Sequence, residues 1–114
     1  MEKQSMEFDH VGYRSYEKRE GEFYYEPNKV WITDSSLHPF RIEWLRYEED
    51  SVVQEPVKSQ PHIGFRVKSI DASAQGMKLL LAPMVIDEKT TVAFYQGNDG
   101  QNLMPKQAQM ERAI

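Results

Sequence analysis

The sequence predicts an α+β fold in which two strand-rich modules of one pattern follow each other within a single domain. Three observations lead there. The phrase His10-Val11-Gly12-Tyr13-Arg14 returns as His62-Ile63-Gly64-Phe65-Arg66. Strand signals are strong and frequent, whereas only one short stretch reads as helix. A polar, Pro- and Glu-bearing link, "EEDSVVQEPVKSQP" at 48–61, separates two halves that open with the same phrase. Internal repetition of this kind points to duplication.

The elements follow in order. "FDHVGYR" (8–14) alternates, with His10, Gly12 and Arg14 on one face and Val11 and Tyr13 on the other. "SYEKREGEF" (15–23) lacks apolar periodicity and contains Gly21, so it reads as a turn or loop where a helix could have been. "KVWITD" (29–34) is β-branched and aromatic and is stopped by Asp34-Ser35-Ser36. "FRIEWLRY" (40–47) sets Arg41, Glu43, Leu45 and Tyr47 against Ile42, Trp44 and Arg46. The link is too polar to be expected in a core.

The second half starts with "PHIGFRV" (61–67). "SIDASAQGMK" (69–78) reads as a helix of about two turns, capped by Ser69 or Asp71 and ended by Gly76. "KLLLAPMVI" (78–86) is a strand whose Pro83 predicts an edge position or a bend. "TTVAFYQ" (90–96) and "GQNLM" (100–104) flank Gly97-Asn98-Asp99-Gly100, a hairpin turn.

Bulk properties narrow the function classes. The chain has 114 residues, enough for one domain with a real core. Its formal charge of −4 lacks the basic stripe that nucleic acid demands. There is no cysteine, which excludes thiol nucleophiles, disulfides and zinc–thiolate sites. The polar start "MEKQSMEFD" has no signal-peptide core, and no apolar run approaches the roughly 20 residues of a membrane helix. The expectation is a cytoplasmic protein that handles a small molecule and engages neither nucleic acid nor membrane.

The repeated phrase carries the candidate chemistry. If the opening strands of the halves lie side by side, His10 and His62 look into one trough, with Gly giving close approach and room. Two neutral imidazoles on neighbouring strands suit Zn, Fe, Ni or Mn. Glu43, flanked by Ile42 and Trp44, is the best third ligand. Its alternative role is a salt bridge to Arg41, Arg14 or Arg66. Arg14 and Arg66 share the His faces and could hold a substrate carboxylate or phosphate, or stand as solvated strand-end charges. The aromatics, Trp31 and Tyr47 among them, either line a binding cup or fill core. His38, before Pro39 in a loop, has no counterpart and is read as structural or exposed.

From residues 8 to 105, these phrases together resemble the vicinal oxygen chelate superfamily of glyoxalase I, methylmalonyl-CoA epimerase, extradiol dioxygenases and the bleomycin- and fosfomycin-resistance proteins. The resemblance rests on "FDHVGY", "KVWITDSSLHPFRIEWLRYEEDS", "PHIGFRV" followed by "SIDAS", and the closing "NDGQNLM". It implies two βαβββ modules forming a cup-shaped mixed sheet, with the first-module helix reduced. Module one would span about 7–50, a link 51–60, module two 61–105 and a tail 106–114. It implies a metal held by His10, Glu43 and His62, and it places the fourth family ligand at Met104, where a Glu is expected. Glu43 would then carry the proton chemistry. The function implied is a metal-dependent lyase, isomerase or related enzyme chelating vicinal oxygens of a small substrate. The alternative is a metal-free binding or sequestering protein of the bleomycin-resistance type. Both readings expect a homodimer.

Overall fold

A computed structural model describes residues 6–108. They form one curled, mixed, eight-stranded half-barrel sheet with little helix. The strands are β1 (Met6–Arg14), β2 (Phe23–Tyr25), β3 (Val30–Ile32), β4 (Ile42–Tyr47), β5 (His62–Val67), β6 (Lys78–Asp87), β7 (Thr90–Gln96) and β8 (Asn102–Ala108). The helix α1 is a single turn, Ile70–Ser73.

Across the sheet the order is β2-β3-β4-β1-β5-β8-β7-β6, so each half of the chain supplies four neighbouring strands. The halves meet where β1 runs antiparallel to β5. Within each half the first strand is parallel to the last, β1 to β4 and β5 to β8. The registers also correspond: Val11 pairs with Ile42 and Gly12 with Glu43, while Ile63 pairs with Leu103 and Gly64 with Met104. Glu43 and Met104 therefore occupy matching positions in the two halves.

Strand alternation sorts the side chains onto two faces. Val53, Val57, Val92, Phe94 and Met104 form a core on the inner face, with Tyr47, Leu80, Leu81 and Met84 against it. Phe65, Val67 and Ala93 pack under Ile70 of α1 on the outer face. Ser69 caps that helix by accepting from the Ala72 amide at 3.2 Å. The helix has one turn rather than two because only Ile70, Ser73 and Ala74 are buried against the sheet, and the chain then turns at Gly76 with φ +80°. Among the described residues of the first half no α-helix covers the outer face. Ser15 ties the loop locally, and the Arg19 guanidinium lies 4.0 Å above the Trp44 ring.

Three further features depart from the sequence reading. The link enters the core, since Val53 and Val57 are 4% and 5% exposed. Phe23–Tyr25 forms an edge strand where no strand was expected. β8 continues to Ala108, so Lys106 belongs to the sheet and not to a tail, while 109–114 lie outside the described residues. Pro83 does sit in an edge strand, β6, where the ladder slips between Leu81 and Met84. Among the described residues no helix is long and apolar enough to cross a membrane.

Candidate metal centre

The two repeated phrases meet at the seam between halves. His10 on β1 pairs with Gly64 on β5, and Gly12 pairs with His62. Each imidazole lies over the glycine of the other phrase. A Cβ built on Gly12 would fall well inside 3.0 Å of the His62 ring, and one on Gly64 would do the same to His10. The glycines are thus the holes into which the histidines fit, and the sequence needs each phrase to read the other.

The rings are 2% and 3% exposed. Their Nε2 atoms are 3.0 Å apart, and Glu43 Oε1 is 3.6 Å from each. The three ligand atoms lie within 4.8 Å of one another. Two nitrogens about 2.1 Å from one ion, at right-angle or tetrahedral geometry, sit roughly 3.0–3.4 Å apart. The donor set therefore fits a divalent ion in both chemistry and spacing. Glu43 makes none of the arginine contacts open to it on sequence grounds. Arg41 turns to Asp9, Arg14 donates to Ser59 Oγ at 2.8 Å, and Arg66 pairs with Glu7 at 3.1 Å.

The local electrostatics favour neutral imidazole beside a carboxylate that resists ionising. Burial, then the neighbouring His10, lowers the His62 pKa to about 3. Burial raises Glu43 above the ordinary carboxylate range, against the opposing pull of His10 and Lys106. Tyr47 is likewise pushed up by burial and by Glu43.

A cavity of about 280 Å³ opens on the inner face beside this group. Its polar end is formed by Asp9, His10, Glu43, Asp34 and Lys106, and its walls by residues such as Val30, Leu45, Tyr47, Phe94 and Met104. Met104 is 6% exposed and packs with Val57, Val92 and Phe94, so it is wall and core at once.

Of the side chains expected to bind substrate, Tyr47 lines this cavity and Arg14, Arg66 and Trp31 do not. Trp31 alternates outward between Val30 and Ile32, against Tyr24 at 4.8 Å, and donates to Glu48 at 2.8 Å. Arg66 is more than half exposed at its strand end. His38 closes a 3-10 turn and accepts from the Phe40 amide at 3.0 Å.

The sequence reading missed Asp9. Plain alternation would send it to the outer face, but the β1–β5 ladder shifts register between Phe8 and His10, and Asp9 turns inward beside His10. Its Oδ2 accepts from His10 Nδ1 at 2.8 Å. Burial pushes its carboxyl up, yet the His10 bond and Lys106 outweigh this and hold it below the usual range. The only sequence signal was a carboxylate directly before the first His and a Pro before the second.

No protein-family model matches the chain, and no curated protein matches it.

Proposed function

We propose that the protein is a glyoxalase-like member of the vicinal oxygen chelate superfamily, built from two βαβββ modules of which the first has lost its helix. In this reading His10, Glu43 and His62 hold a divalent ion of the Zn, Ni, Mn or Fe type, and the protein acts as a lyase, isomerase or related enzyme on a small substrate with neighbouring oxygens. The observation that carries it is the convergence of three donor atoms from both halves, two of whose residues, His10 and Glu43, line a cavity. When bound, the ion supplies Lewis acidity for a developing oxyanion. The chain does the rest. The apolar walls hold the carbon body of the substrate and exclude water. Lys106 presents an ammonium to its oxygens, and Glu43 carries the proton. A homodimer fits the outer face along the β1–β5 seam, where Phe8, Tyr13 and Ile63 are 54%, 39% and 41% exposed.

Metal analysis of the purified protein, with His10→Ala and His62→Ala alongside, tests this. The expected result is near-stoichiometric metal lost in both variants. A wild type that stays metal-free at saturating Zn, Ni, Mn and Fe overturns it.

Met104 favours one second reading. With a thioether where a second carboxylate would stand, the cup could serve as a metal-free binding or sequestering site. Ligand-dependent thermal stabilisation that survives a chelator would select that reading.

A further inference from the structure

We propose that Asp9 is the positioning residue of the His/Glu/His group, fixing His10 so that Nε2 faces Glu43 and His62, and that Arg41 in turn fixes Asp9. The inference rests on the metal-site reading but adds a residue outside the ligand set. An imidazole can present either nitrogen, and the bond made by one decides which is offered. Asp9 is 4% exposed, and its Oδ2 takes the His10 Nδ1–H at 2.8 Å, leaving Nε2 toward Glu43. A carboxylate behind a ligating histidine orients the ring and raises its basicity.

Asp9 is itself gripped. Lys106 Nζ is 3.5 Å from Oδ2, and Arg41 Nη2 is 3.5 Å from Oδ1. Arg66 Nε is 3.7 Å from the same Oδ1. Arg41 Nε also donates to the Asp9 main-chain carbonyl. Arg41 makes these contacts from a left-handed backbone, φ 57°, a conformation costly for a non-glycine residue. His62 lacks such a device: Pro61 precedes it, and its ring rests edge-on to Phe94 at 5.0 Å. Among the described residues the carboxylate support is one-sided: it stands behind His10 alone, although Lys106 and Arg66 of the second half help to hold it.

The test uses the full chain, Zn²⁺ alone as the probe, and the variants Asp9→Ala, Asp9→Asn and Arg41→Gln. Two readouts are taken: Zn²⁺ affinity by chelator competition, and long-range ¹H–¹⁵N spectra of the His10 ring in metal-free protein. In the wild type Nδ1 of His10 should be protonated, and in Asp9→Ala that preference should be lost. Asp9→Ala should weaken Zn²⁺ binding about 10- to 100-fold. Asp9→Asn, which keeps an acceptor oxygen, should recover most of the loss, and Arg41→Gln should fall between. A folded Asp9→Ala with unchanged ring protonation and affinity overturns the proposal. If Asp9→Ala does not fold, an Arg41→Gln protein indistinguishable from wild type in both readouts overturns it equally. If wild type binds no Zn²⁺, the metal reading fails, and the ring spectra alone still decide the role of Asp9.

Discussion

Replacing Gly64 with alanine tests the interlock at the seam. Neither Gly12 nor Gly64 has the positive φ that alanine resists, unlike Gly21, Gly76 and Gly100. With free space, Gly64→Ala should therefore stabilise the fold by about 0.4–1 kcal/mol through the unfolded chain. Space is absent. The new Cβ would sit inside 3.0 Å of three atoms of the His10 ring, whereas ordinary contact begins near 3.4 Å. Rotation cannot clear three atoms at once, and the ring is boxed by Asp9 and His62. The ring must swing off its hydrogen bond, at the roughly 1–3 kcal/mol typical of overpacking. The net expectation is a loss of about 1–2 kcal/mol, equivalent to a melting shift of about 4 °C or more per kcal/mol. Divalent-metal affinity should fall about 10- to 100-fold, as expected when a ligand loses its alignment. Urea and thermal melts with chelator measure the first quantity, and calorimetric metal titration the second. A Gly64→Ala protein that is stabilised and binds metal as before would refute the reasoning.

Other perturbations separate the remaining parts of the site. Glu43→Gln should stabilise the metal-free protein at neutral pH by about 1 kcal/mol while abolishing tight metal binding, because it removes a buried charge and a ligand together; melts with and without metal check both. The pH dependence of the metal-free protein has two opposed arms. His62, lowered by burial, contributes stability that is lost as pH falls from 6.5 toward 3. Glu43, raised by burial, contributes stability present at low pH and lost as pH rises through its raised value, so Glu43→Gln should erase that arm in urea melts across pH. Met104→Glu should cost several kcal/mol without metal, as an unpaired buried carboxylate, and recover stability on metal addition. Met104→Leu, a volume-conserving change, should cost under about 1.5 kcal/mol and leave metal affinity unchanged.

The site was legible because its residues obey strand alternation and because the same phrase occurs twice in the chain. His10, Glu43 and His62 each follow from a regular strand, and the side-by-side pairing of β1 and β5 follows from their likeness. What stayed hidden depends on departures from regularity. Asp9 reaches the cup through a register shift that no composition signals. Val53 and Val57 enter the core from a segment whose average is polar, since two apolar side chains suffice to pack it against Val92, Phe94 and Met104. Arg14 and Arg66 share the histidine strands but stand at their ends, where tertiary neighbours decide the direction of a long side chain. Trp31 was grouped with cup aromatics on size alone, although its own alternation with Val30 and Ile32 turns it outward.

The seam between halves has a consequence for cooperativity. Neither half holds two of the imidazoles, and each imidazole is seated in the backbone of the other half. An ion bridging His10, Glu43 and His62 would be bound only by the assembled pair, so its binding free energy would act wholly against their separation. At a free concentration 100 times the dissociation constant that amounts to about 2.7 kcal/mol. The ion would behave as a rivet, converting two marginal four-stranded sheets into one unfolding unit. A chain severed within the 51–60 link would then be expected to reassemble from its pieces in a metal-dependent way.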